Sequence, residues 1–245
     1  MEEMEDMSNV LGAAVCFLIF VPAFLGFLML LMEAAKSKGL KRTRALIASL
    51  VGLMIGSGYL VWGIRSLTVA ADAPVGTVLP WFQATWSLGG LSAFFLVYYV
   101  ILQTNPDFFR KRIWAAVLPV IGTGTFLTLL FAYLPAVATT VQVAFVTDIQ
   151  VDLALQIVAA LLVLLYLAIV PTAFVYKYAS SEKVRGTKSA RRAYILLLGV
   201  LIWFVAWLFE GNRSLPEMNY TMIFARGMIV VAFFVVLVGY RMKTE

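Results

Sequence analysis

The stretch "FARGMIVVAFFVVLVGYRM", Phe224–Met242, decides the fold. From Gly227 onward it holds no charge, side-chain amide or hydroxyl before Tyr240. About 20 apolar residues in a row are enough to span a hydrocarbon core. Seven such runs recur along the chain, at residues 10–32, 45–64, 79–102, 113–134, 153–176, 193–209 and 222–240. The first six contain no Asp, Glu, Lys or Arg, and the seventh contains only Arg226. The composition agrees: 62% of the 245 residues are hydrophobic and 13% are charged, against roughly 25% charged in soluble domains. Alternating ten-residue strands are absent, which excludes a membrane barrel. The expected fold is an all-α membrane protein, a seven-transmembrane-helix bundle forming one domain over residues 1–245.

The residue inventory removes several chemistries. With no histidine there is no His-ligated haem, zinc or copper and no His-based acid–base catalysis. The single cysteine, Cys16, cannot form an internal disulfide and reads as a small core residue. The net charge of +6 does not indicate a nucleic-acid partner, because the basic residues flank the spans as anchoring charges do.

Their distribution gives the topology. Sixteen lie on one side: Lys36, Lys38, Lys41, Arg42, Arg44, Arg110, Lys111, Arg112, Lys177, Lys183, Arg185, Lys188, Arg191, Arg192, Arg241 and Lys243. Arg65, Arg213 and Arg226 lie on the other. The positive-inside rule places the sixteen in the cytoplasm, with the N-terminus outside and the C-terminus inside. The basic face is expected to meet membrane lipid, and it offers a surface to anionic headgroups or to an acidic partner segment. The acidic head, with Glu2, Glu3, Glu5 and Asp6, does not read as a signal peptide.

Short loops predict antiparallel sequential neighbours. The outer loop "SLTVAADAPVGTV", residues 66–78, is expected to form a small hairpin. The inner loop "SSEKVRGTKSARR" is expected to continue the helices on both sides. No internal repeat of the transporter kind is found. Two glycosylation acceptor patterns fall at Asn212 and Asn219. Trp62, Trp81 and Trp114 lie near span ends and read as belt residues. Glu210, Arg213, Glu217 and Arg226 read as a solvated ion-pair cap.

Seven helices with an outward N-terminus suit both G-protein-coupled receptors and microbial rhodopsins. The receptor hallmarks are missing: no Asp-Arg-Tyr follows helix 3, and helix 7 has no Asn-Pro-x-x-Tyr. Specific segments carry the other likeness. Ala84-Thr85-Trp86 in "WFQATWSLGGL" resembles the Ala-Asp-Trp or Leu-Thr-Trp segment of the light-driven pumps. "VIGTGTFLTLL" is similar to their Met-Ile-Gly-Thr-Gly, and Tyr59 falls where they carry a helix 2 tyrosine. "WLFEGNRSLPEMN" resembles their Trp-Leu-Ile-Gly-Ser-Glu-Gly segment and the proline after it. The chain thus resembles the microbial rhodopsins over nearly its whole length.

Carried over residue by residue, the resemblance implies that the ionisable groups of the pumps are gone. The counter-ion position falls on Thr85, the proton-donor position on Leu96 and the preceding arginine on Phe82. The retinal lysine falls on Ala232, and the helix 7 aspartate on Met228. The tryptophan and proline lining the ring pocket in helix 6 fall on Val200 and Phe204. No span contains a lysine, so a Schiff base has no amine. A lone carboxylate left behind would cost about 2.5–3.5 kcal/mol on insertion scales.

The resemblance implies a site lined by Tyr59, Thr85, Trp86, Gly89, Gly90, Val120, Gly124, Val200, Trp203, Trp207, Met228 and Ala232. Two readings stay open for it. It is a pocket for a noncovalent carotenoid, lipid or retinal, or its small residues let helices pack closely while aromatics refill the volume. The interior polar residues Ser57, Gln83, Thr85, Ser87, Thr123, Thr125 and Gln156 are expected to bond helix to helix or to backbone. The expected protein is not an enzyme, has no covalent cofactor and binds no metal. It is a scaffold or partner-binding subunit of the plasma membrane, alone or as a homo-oligomer, or a noncovalent apolar-ligand binder. A solute transporter or channel, or a sensor coupled to a separate transducer, is the alternative.

Overall fold

A computed structural model describes residues 2–70, 72–108, 117–143, 146–211 and 218–242. The expected basic residues Arg110, Lys111, Arg112 and Lys243, the belt residue Trp114, Asn212, Arg213 and Glu217 lie outside these. So do the side chains of Glu2, Glu3, Glu5, Asp6, Glu210 and Asn219.

Seven helices long and apolar enough to cross a membrane are present. They are α1 Glu2–Lys36, α2 Gly39–Thr68, α3 Val75–Thr104, α4 (residues 117–137), α5 Leu153–Ala179, α6 Lys188–Gly211 and α7 Met218–Arg241. Most run a turn or more past the apolar windows, because the flanking Lys, Arg and Glu are themselves good helix formers. Each helix contacts the next, and α1 closes the ring against α7. α3 touches α2, α4 and α5 and so lies innermost.

Small residues set the closest approaches. A Cβ on Gly52 would lie 3.1 Å from the Ala23 carbonyl, and one on Gly56 3.2 Å from the Ala23 methyl. On Gly63 it would lie 3.2 Å from the Cβ of Cys16. This stripe on α2 lets α1 approach as near as its backbone allows. Cys16 is fully buried in that seam, a small core residue as its sequence context suggests.

Two helices carry π-helical turns, and in both a proline follows. In α4 the turn is Leu129–Tyr133 with Pro135 just beyond, and in α5 it is Leu164–Ile169 with Pro171 just beyond. A proline ring collides with the carbonyl four residues earlier, and a wider turn relieves the collision. The wide turn leaves a debt of its own. The Leu134 N–H bonds to the Leu129 carbonyl, so the Leu130 carbonyl would need an N–H from residue 135, and proline has none. Gln83 on α3 supplies the donor instead, with Nε2 2.9 Å from the Leu130 carbonyl oxygen.

The expected hairpin in residues 66–78 is not there. Residues 66–68 finish α2, a short turn follows, and Pro74 leads into α3. A hairpin does form between α4 and α5, from β1 Thr139–Val143 and antiparallel β2 Val146–Gln150, with Thr140 opposite Ile149. The reason is composition. Residues 70–73 are mostly alanine, whereas "TTVQV" and "VTDIQ" are rich in β-branched residues. The hairpin is anchored by Ile149, which is fully buried against Val78, Phe82, Leu130 and Leu134. Asp152 then caps α5 through the Leu155 N–H and accepts a bond from the Tyr133 hydroxyl at 3.0 Å.

The inner loop is also shorter in helix than expected. α5 stops at Ala179, and Gly186 with φ 78° turns the chain, a conformation that favours glycine. Thr187 then caps α6 by accepting from the Ala190 N–H.

Gln83→Leu should cost about 1–3 kcal/mol although it adds apolar surface, because it strands the Leu130 carbonyl in a dry place. Thermal unfolding in detergent checks this; an unchanged midpoint for the leucine variant would mean the bond carries no stability.

Candidate functional site

The centre of the bundle holds a cavity of about 90 Å³. Five helices wall it: α2 with Tyr59 and Trp62, α3 with Thr85, Trp86, Gly89 and Gly90, α4 with Gly122, Thr123 and Phe126, α5 with Tyr166, and α6 with Trp203 and Trp207. Pockets that hold drug-sized ligands are roughly 300–1,000 Å³, so this cavity is small beside them.

Aromatic rings take up much of the wall. Trp86 stacks on Phe82 at 4.9 Å between centroids and on Phe126 at 6.2 Å, and meets Trp207 edge-on at 5.4 Å. Two glycines make room for these and a further ring. A Cβ on Gly90 would lie 2.8 Å from the Phe126 ring, and one on Gly122 1.7 Å from the Tyr166 hydroxyl. Tyr166 stands on the π-helical turn of α5, so the turn that accommodates Pro171 also carries this ring into α4. Gly89 is different: nothing lies within 4 Å of where its side chain would be, and it opens on the cavity.

The chemistry left in the site is weak. The Thr85 hydroxyl donates to the Trp81 carbonyl at 3.0 Å. Ser87 does the same to Gln83, and Gln156 donates to the Val151 carbonyl. These groups are occupied by backbone. Among the described residues no group of Asp, Glu, Cys or His is placed to hold a metal.

Of the residues expected to line the site, Tyr59, Thr85, Trp86, Gly89, Gly90, Trp203 and Trp207 border this cavity. The other five do not. Val120 is 54% exposed and Gly124 faces outward with open space where a side chain would be. The inward face of α4 is two residues away, at Gly122, Thr123 and Phe126. Val200 is buried but borders a separate cavity nearer the basic end. Met228 and Ala232 pack in the core beside α6, where a Gly199 side chain would already meet the Ala232 carbonyl at 3.1 Å. Helix α7 contributes no wall.

Two outer residues also differ from expectation. Trp62 is no belt residue: it is 6% exposed and borders the cavity. Arg226 is no solvated cap. It is 5% exposed, lies over the Trp62 ring at 4.5 Å and donates to the Gly12 carbonyl at 3.4 Å. The cation–ring contact holds both inside. Phe126 was missed because helix 4 was set in register by the resemblance and not by its own apolar face; Tyr166 lies on α5, where no segment of the resemblance fell. The proline five residues after Tyr166 was the available signal.

No family model matches the sequence, and no curated protein matches it either.

The glycines make the test. Gly90→Ala and Gly122→Ala should each lower stability by about 1–3 kcal/mol through overpacking. Gly89→Ala should be neutral or stabilising, since it fills open space, and Gly124→Ala on the outer face should behave likewise. Unfolding midpoints of the four variants would refute the arrangement if Gly122→Ala proved harmless or Gly89→Ala severe.

Proposed function

We infer that this chain is a rhodopsin-type seven-helix protein of the plasma membrane that has given up covalent retinal. It is non-enzymatic, with its N-terminus outside, and serves as a scaffold or partner-binding subunit. The observation that carries this reading is the state of the bundle centre. Rings of Trp86, Phe126, Tyr166 and Trp207 crowd a cavity of about 90 Å³, and none of the seven apolar runs holds a lysine. The hydroxyl at Thr85 is committed to its own helix, so neither a protonated Schiff base nor a proton relay has a partner. A core filled in this way suits a bundle whose work is done at its surfaces.

One feature favours a second reading. The open side of Gly89 leaves space for a small apolar ligand, or for part of a larger one if the aromatic rings move. The visible absorption spectrum after adding retinal or native membrane pigments separates the readings. No band is expected for the scaffold, and a band lost on denaturation would indicate the noncovalent pocket. A band that survives denaturation would overturn the inference. Ala232→Lys alone should form no pigment, because the Gly199 seam leaves no room beside it and Thr85 and Met228 offer no carboxylate. Strong pigment from that variant would show that the retinal space has been kept.

A further inference from the structure

A second cavity, of about 340 Å³, lies at the end of the bundle that carries most of the basic residues, between α2, α3, α5, α6 and α7. It is independent of the central one and much larger. Its lining is divided along the helices. Leu96, Leu197 and Val200 sit further from the helix ends and are buried. Arg44, Tyr99, Gln103, Tyr178, Ser189 and Arg192 lie nearer the ends. No acidic residue is among the lining residues.

The donors outnumber their acceptors. Arg44 gives Nε and Nη2 to one acceptor, the Leu102 carbonyl, at 3.0 and 2.5 Å, which leaves three of its five N–H groups. Arg192 lies over the Tyr240 ring at 5.5 Å, and its Nε is buried with no hydrogen bond. The Tyr99 hydroxyl, on a side chain only 5% exposed, is also without one; Gln103, one turn on, comes near but does not complete it. Arg44 and Arg192 are close enough to repel each other. Glu33 lies outside the cavity and is engaged by the Tyr240 hydroxyl and by Lys41 at 3.4 Å. Two like charges and two unsatisfied donors around one space are costly unless an anion joins them.

We propose that this cavity binds a phosphate group, held by Arg44, Arg192 and the Tyr99 hydroxyl, with an apolar continuation along Leu197 and Val200. A membrane lipid headgroup and a soluble phosphate share that chemistry, and the apolar wall fits the lipid. The site does not depend on what the central cavity holds.

The test uses the full chain in micelles of dodecyl maltoside, a detergent without phosphate. Phosphatidylglycerol is titrated in, or inorganic phosphate is added, and the unfolding midpoint and retained lipid by native mass spectrometry are read. Phosphatidylglycerol should raise the midpoint saturably and stay bound one to one. Arg192→Gln should weaken that binding about tenfold, the loss of one charge-assisted pair. Lys183→Gln, an exposed charge of the same end outside the cavity, should leave it unchanged. A saturable shift with inorganic phosphate and no retained lipid would assign the site to a soluble anion. No shift with either, or equal loss in the Arg192 and Lys183 variants, would overturn the proposal. Should Arg192→Gln fail to fold, Leu197→Phe narrows the apolar part instead, and undiminished lipid binding by it would count against the site.

Discussion

Pro135 has no N–H, and much of the hairpin end depends on that absence. In a bilayer interior water cannot satisfy a released carbonyl, so the protein must. The π-helical turn before Pro135 removes the ring clash but frees the Leu130 carbonyl, and the Gln83 side chain takes it. That one bond ties α3 to α4 at a defined height. It sets Leu130 and Leu134 against Val78 and Phe82, which makes the apolar seat into which Ile149 of the hairpin fits. The same height places Phe126 beside Trp86, and so shapes the central cavity one turn away.

The helices were legible because their signal is long and redundant: a span survives errors of several residues at either end. Features that rest on a few residues were not. The hairpin was expected in residues 66–78 from their Thr and Val content and an Ala-Pro-Val-Gly turn, yet the strands form in residues 139–150, where β-branched residues are denser. Trp62 and Arg226 were each assigned to the surface from their distance to a span end. Together they are buried, because the indole face satisfies the guanidinium that neither residue alone would bring inside. Helix 4 shows a different limit. Borrowed register pointed Val120 and Gly124 inward, while Gly122 and Phe126 are the pair that the facing aromatics require.

Polar groups in this bundle fall into two populations. Those of the interior, such as Thr85, Ser87 and Gln83, each meet a backbone carbonyl. Apart from the buried guanidiniums of Arg65 and Arg226 near the outer end, the interior polar groups are thus spent on backbone, which suits a region without water. At the basic end, Arg44, Arg192 and Tyr99 keep unspent donors around a larger space. The division follows from what each region can reach. A buried hydroxyl can satisfy itself on its own helix, four residues back. A guanidinium has more donors than any single carbonyl accepts; Arg226 turns to the Trp62 ring, whereas Arg44 and Arg192 face a space that an anionic group would complete.

The blankness of α7 has a physical cause in its neighbour. Gly199 on α6 sits against the Ala232 carbonyl, and Gly239 on α7 sits against Ile195 and Leu196, with a side chain at either glycine meeting atoms at 3.1 Å or less. Ala232, Val236 and Gly239 follow one face of the helix, and that face is the seam. A seam this close admits no long side chain. A lysine at residue 232 would have to part the two helices before its amine reached any cavity, and it would then stand charged among Val200, Trp203 and Ile229 with no carboxylate in reach. A small, apolar face on α7 and its close packing against α6 are thus two sides of one arrangement. Helix α7 is apolar and small on its α6 face because that face packs helix against helix, and the surfaces left for binding are those that α7 does not close.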